Sequence, residues 1–257
     1  MKHTHLTTVK KYLILTFLIT WLSWWILALL THITTLSNQS LFGRALFLIG
    51  GFGPTIAALF VLPADANNAN KRNIKTFLLR HTPGSRKILL LYCLLTFLLF
   101  FLPARRLDPA VPLFMFPVIW IMMTFFTGGN EELGWRGTMQ PLLEKAFGFV
   151  PATLLTGTTW ALWHIPLWFI QGDSHAAVPY LSFFVLGLLL SVFLAGLYKA
   201  TKSVLCAMIY HGFLNTVMTF VPIQVNAVFF VALALMCAFA VIVWYRADKK
   251  EKSSHAH

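Results

Sequence analysis

Charge is scarce in this chain, and negative charge most of all. Only 11% of its 257 residues are Asp, Glu, Lys or Arg, and eight are acidic. A water-soluble domain carries about 25% charge, so an ordinary solvated surface is excluded. Cysteine is confined to Cys93, Cys206 and Cys237, all in apolar stretches. That pattern implies no disulfide framework and leaves them as small core or lipid-facing side chains. No internal repeat is visible, which argues against a transporter built from inverted halves. No HExxH string occurs, so a zinc protease of the usual ligand spacing is excluded. A short cleavable leader is not expected either. Lys2, Lys10 and Lys11 precede an apolar run over 12–31. At about 20 residues it exceeds a typical signal core and suffices to span a bilayer.

What the chain has in abundance is apolar surface, with 58% hydrophobic residues and a mean hydropathy of +0.74. Candidate spans fall at 12–31, 45–62, 88–103, 117–147, 149–169, 178–198, 203–220 and 225–244. The expected fold is all-α. It is a polytopic cell-membrane protein of eight transmembrane helices, a single membrane domain over 1–257 with core helices over 115–220. The formal charge of +12 could suggest nucleic acid, but its distribution argues otherwise. With a cytoplasmic N-terminus, basic residues gather in the inside segments 2–11, 71–87, 199–202 and 246–252. Outside segments hold only Arg44, Arg105 and Arg106. This bias puts both termini in the cytoplasm. The expected partner of the basic face is anionic lipid, with no nucleic acid. Segment 63–87 is polar and basic, with a short interfacial helix expected over 74–79. In GGFGP, Gly50, Gly51 and Gly53 permit close helix approach and Pro54 allows a kink.

The fourth span is the informative one. Over 117–147 it would run about 46 Å as a helix, against a hydrocarbon core of roughly 30 Å. It must tilt, protrude or break, and Gly128-Gly129 is the soft point. The span carries Glu131, Glu132 and Arg136 in the string EELGWRG. A buried acidic residue costs roughly 2.5–3.5 kcal/mol on insertion scales. Glu132 and Arg136 are four apart, so they share a helix face and can pair. Glu131 lies about 100° round the helix and points elsewhere. This predicts a Glu132–Arg136 pair and a Glu131 left without a partner. A desolvated, unpaired carboxylate moves toward the range useful for a general base or acid.

Two later spans carry the remaining buried polar groups. His164 sits in WALWHIPLWF, where Pro166 frees a carbonyl and kinks the chain. His211 and Asn215, in YHGFLN, are four apart on one face. Aligned so, they offer two donors to one point, which suits a developing oxyanion. Interhelical hydrogen bonding is the plainer role for either, worth about 0.6 kcal/mol on average in membranes. His164 and His211 are the histidines expected deep within the spans, in the same half as the buried acids. Side chains entering from different depths meet only if the fourth span is tilted or shifted.

The order EExxxR, then an aromatic residue four before His, then HxxxN, each in its own apolar helix, resembles the CAAX protease and bacteriocin-processing family of intramembrane endopeptidases. The strings are Glu131-Glu132-Leu-Gly-Trp-Arg136, Trp160-Ala-Leu-Trp-His164 and His211-Gly-Phe-Leu-Asn215. The flanking WRG and HIPLWF extend the likeness, and Gly53-Pro54 is a fainter echo. Trp160 departs from the Phe of many members. The resemblance implies a helical cavity open to the cytoplasm, where water attacks a peptide carbonyl. Glu131 would activate the water and His164 hold it. His211 and Asn215 would stabilise the oxyanion, and Glu132 and Arg136 would support the site or position substrate. Members have been described as metalloproteases and as glutamate-dependent proteases. Glu131, His164 and His211 are therefore the candidate ligands of one divalent metal, zinc, with one position open.

The function expected is hydrolysis of a peptide bond near the C-terminus or leader of a membrane-associated substrate, prenylated or not. The alternative is a non-catalytic peptide-binding or bacteriocin-immunity protein of the same fold. A transporter or proton relay could also carry buried Glu, His and Arg, but the three ordered motifs disfavour it.

Overall fold

The computed structural model describes residues 2–62, 74–101, 107–221 and 227–254. Every regular element among them is helical. Segment 63–73, Arg105, Arg106 and the edges of two expected spans (102–103 and 225–226) lie outside the described residues. Among the described residues, four helices are long and apolar enough to cross a membrane: 4–33, 113–147, 180–201 and 227–253. A fifth crossing arises if the bent pair over 41–61 is counted as one. The other expected spans are helical but shorter. Polar residues 74–79 form the short helix expected there.

Contacts divide the chain into two units, residues 1–74 with 131–191, and residues 75–130 with 192–257. The first is organised on α1 (Lys2–Ile33), which packs against α2 (Leu41–Gly51) and α3 (Gly53–Val61). Pro54 has no N–H to give to the carbonyl of Gly50, so the α2–α3 helix bends by 41° there. The Thr20 hydroxyl donates to that carbonyl at 2.7 Å. Ser23 and Trp24 donate to the carbonyls of Leu46 and Phe47 at 2.7 and 2.9 Å. In an apolar medium a carbonyl stripped of its helical donor needs such a substitute. The GGFGP string thus has the packing role read from its sequence. The fourth expected span opens the rest of this unit: α7 (Glu132–Gly134), a π turn over 135–139 and α8 (Gln140–Phe147). It continues through α9 (Phe149–Trp163) and the first half of α10 (Tyr180–Thr201).

The second unit holds α4 (Ile74–Leu79, from Lys75 on), α5 (Ser85–Thr96), α6 (Phe116–Phe125), α11 (Val204–Phe220) and α12 (Ala227–Ser254). Here α6 and α11 pack closely. A Cβ on Gly212 would overlap the Thr124 hydroxyl and come within 2.7 Å of the Thr124 backbone. Trp120 donates to the Ile209 carbonyl at 3.0 Å. At the polar end of α12, Glu251 accepts from Lys199 at 3.0 Å and Lys202 at 3.3 Å. Asp248 pairs with Lys252 at 2.7 Å. The basic 199–202 turn and the tail of α12 therefore lie at one end of this unit, and their acids offset part of its charge.

The bend at Pro54 generates a paired prediction. A methyl group on Gly53 would collide with the Thr20 hydroxyl, whereas nothing lies within 4 Å of one on Gly51. Gly53→Ala should lower stability by about 1–3 kcal/mol. Gly51→Ala should be neutral or slightly stabilising, since Ala outranks Gly in a helix. Thermal melting in detergent checks both.

Candidate active site

The break expected at Gly128-Gly129 is where the helix fails. After α6 the chain passes through Gly128 at φ +106, a conformation in which a side chain is strained. A 3₁₀ turn over 129–131 and the three-residue α7 follow. Downstream, Pro141 cannot donate to the carbonyl of Gly137, and the chain widens into the π turn over 135–139. The segment bearing both glutamates is thus irregular on either side. Such π segments concentrate at functional sites.

In the first unit, Glu132 and Arg136 pair as their spacing predicts. Arg136 Nη1 donates to Glu132 Oε1 at 3.4 Å, and Nε lies 3.3 Å from Oε2. Both side chains are buried, at 0% and 2% exposure. Glu131 takes a different direction, also as predicted, but it is not without a partner. Its Oε2 accepts a hydrogen bond from Trp160 Nε1 at 2.7 Å, and the residue is 6% exposed. The two adjacent acids therefore hydrogen-bond in different directions, one to a guanidinium and the other to an indole N–H.

His164 caps α9 instead of lying within it. Pro166 has no N–H for the carbonyl of Leu162, so the helix ends at Trp163 and a 3₁₀ segment follows over 165–169. His164 Nδ1 bonds the carbonyl of Trp160 at 2.8 Å. A carbonyl only accepts, so Nδ1 carries a proton, and in the neutral ring Nε2 is the acceptor. The His164 ring packs edge-on against that of Trp160, with centroids 4.2 Å apart. Trp160, noted in the sequence only for departing from Phe, thus touches both Glu131 and His164.

Gly134 brings the first helix to this segment. A Cβ there would overlap the Tyr12 hydroxyl and come within 2.7 Å of the Pro54 carbonyl. The Gly53-Pro54 echo is therefore a neighbour of the glutamate string. Sequence reasoning passed over His175 altogether. Its ring lies 5.9 Å from that of His164, and its Nδ1 is 2.7 Å from Asp173 Oδ1. No periodicity points to that contact, because His175 sits in a separate 3₁₀ turn over 174–177 that Asp173 caps.

In the second unit, His211 is buried and shares a face of α11 with Asn215. Both aim at the Gly128 turn. A Cβ on Gly128 would overlap Asn215 Nδ2 and lie 3.4 Å from His211 Nε2. The Asn215 amide nitrogen and a ring nitrogen of His211 thus lie near one point. His164 and His211 are the fully buried histidines among the described residues. Neither unit gathers three or more His, Cys, Asp or Glu side chains able to hold a metal ion among those residues. The proposed trio of Glu131, His164 and His211 draws its third member from the other unit.

The family model described as "Type II CAAX prenyl endopeptidase Rce1-like" matches residues 112–217, a range that contains all six of these polar residues. A curated relative, CAAX prenyl protease 2 of Methanococcus maripaludis, is 26% identical over 266 residues, covering 94% of each chain. Both matches are similarities to CAAX proteases and support that family for this chain. The chain is a multi-pass membrane protein and an enzyme, a membrane endopeptidase.

Two substitutions probe this geometry. Arg136→Ala strands a buried carboxylate and should destabilise the protein by roughly 3–5 kcal/mol. A wild-type melting curve for that variant would refute the pairing with Glu132. Gly128→Ala forces both strain and a collision with Asn215. It should abolish proteolysis while Gly84→Ala, also at positive φ but with nothing within 4 Å, retains it.

Proposed function

We propose that the protein hydrolyses a peptide bond near the C-terminus of a prenylated, membrane-associated substrate, using a water activated by Glu131. The observation that carries this reading is the buried Glu131 carboxylate, held by the indole N–H of Trp160, the residue whose carbonyl and ring also hold His164. A carboxylate held in a fixed direction can take a proton from a water placed against it. The prenyl group and the C-terminal position come from the names of the family model and the relative.

Glu131 takes a proton from water as the oxygen attacks the scissile carbonyl. His164 accepts the water's other proton in a hydrogen bond at Nε2, fixed there because Nδ1 is committed to the Trp160 carbonyl. The carbonyl oxygen becomes an oxyanion, which His211 and Asn215 stabilise as convergent donors. The carboxyl proton then passes to the leaving nitrogen, the C–N bond breaks, and Glu131 is an anion again. Basic segments at the membrane surface would meet anionic lipid headgroups around the substrate.

Zinc remains the alternative for the water: Glu131, His164 and His211 would hold it, and it would supply a polarised water.

The test is a farnesylated peptide ending in a CaaX sequence, incubated with purified protein in lipid nanodiscs. Wild type should release the C-terminal tripeptide. Glu131→Gln should lose cleavage by at least about a thousandfold while melting normally. Full cleavage by Glu131→Gln would refute the assignment, and a cellular effect that survives loss of cleavage would indicate a binding protein. His211→Ala and Asn215→Ala should each lower kcat by about 100-fold with little change in KM, because the oxyanion exists only near the transition state. An effect confined to KM would contradict that role. Stoichiometric zinc, with chelator inhibition reversed by zinc, would replace the metal-free scheme.

A further inference from the structure

We infer that Trp160 is a positioning residue that aligns both halves of the water-activating pair, the Glu131 carboxylate through its indole N–H and the His164 ring through its own carbonyl. This rests on the reading of Glu131 as the base. The two contacts are short, 2.7 Å from Nε1 to Glu131 Oε2 and 2.8 Å from the carbonyl to His164 Nδ1. They leave one residue from two different atoms. The backbone carbonyl is set by α9, and the indole is set by its packing. Its face stacks on Phe183 at 5.2 Å with an interplanar angle of 15°. Its far edge is pressed toward Gly187, where a Cβ would come within 2.8 Å of the ring. Its near edge meets the His164 ring. The ring therefore has little freedom to rotate, and its N–H fixes the direction of the carboxylate.

The chemistry suits a base. A cation in this place would compensate the negative charge, as Arg136 does for Glu132. A neutral N–H orients the carboxylate and leaves its net charge intact. Phe at this position could keep the stacking but has no donor. The contribution is therefore assigned to a single hydrogen atom.

The experiment uses the full chain in lipid nanodiscs with the farnesylated CaaX peptide. Trp160→Phe is compared with a protein whose residue 160 is 3-benzothienylalanine, which keeps the bicyclic shape but replaces N–H by sulfur. Both should lose about 10- to 100-fold in kcat with KM within about twofold, the range expected for a hydrogen bond to a charged group. The benzothienyl protein should melt like wild type. If it turns over at the wild-type rate, or if the loss lies in KM, Trp160 acts by packing or substrate contact and the inference fails. Glu131→Gln, run alongside, separates the two claims. An inactive Glu131→Gln with unaffected residue-160 variants sinks only the role of Trp160, whereas an active Glu131→Gln sinks the base assignment beneath it. A second readout does not need turnover. The Raman band reporting indole N–H bonding, isolated as wild type minus Trp160→Phe, should move to its weakly bonded position in Glu131→Ala. An unmoved band overturns the inference.

Discussion

A carboxylate withdrawn from water has to find compensation, and two adjacent ones on a helix find it in different directions. That constraint shapes the segment 128–141. Glu132 turns toward Arg136 one helical turn ahead and forms a buried pair. Glu131, one residue earlier, has rotated away from that guanidinium and meets the indole of Trp160. Two identical side chains next to each other thus acquire different electrostatic surroundings. The pair holds the turn together, and the other acid is held by an indole N–H.

The surrounding irregularities serve this arrangement. Three prolines remove backbone donors close to the site, at Pro54, Pro141 and Pro166. Each has its own local remedy: the Thr20 hydroxyl at the first, a π turn at the second, a switch to 3₁₀ at the third. Unsatisfied carbonyls in an apolar medium would otherwise cost several kcal/mol each. Glycines do the complementary work of close approach. Gly134 admits Tyr12 and Pro54 against the glutamate segment, and Gly128 admits His211 and Asn215. The site is built where helices are interrupted, because only there can side chains from several elements share a small volume.

Much of this was legible in the sequence. Composition alone requires helices and a bilayer. The i,i+4 rule gave the Glu132–Arg136 pair and the common face of His211 and Asn215, and helix geometry turned Glu131 elsewhere. Gly128-Gly129 stood out as the weak point of an over-long span. What escaped was tertiary. Trp160 donates to a residue 29 positions earlier, and no periodicity encodes that reach. His175 approaches His164 from a separate 3₁₀ turn, which spacing rules do not reach. Gly128 could be read as a soft point but not as the floor beneath His211 and Asn215. The partner of Glu131 was missed for the same reason: an indole among apolar residues looks like core packing until its N–H has a direction.

The central claim is that Glu131 activates water and does not itself attack the peptide. Turnover in ¹⁸O-labelled water tests this most directly, with the new C-terminus and the Glu131-containing fragment both weighed by mass spectrometry. Attack by water predicts one ¹⁸O atom in the new carboxylate from the first turnover and none in Glu131 after many. An unlabelled first product, with ¹⁸O accumulating in the Glu131 side chain, would show that the carboxylate forms a covalent intermediate and would contradict the account.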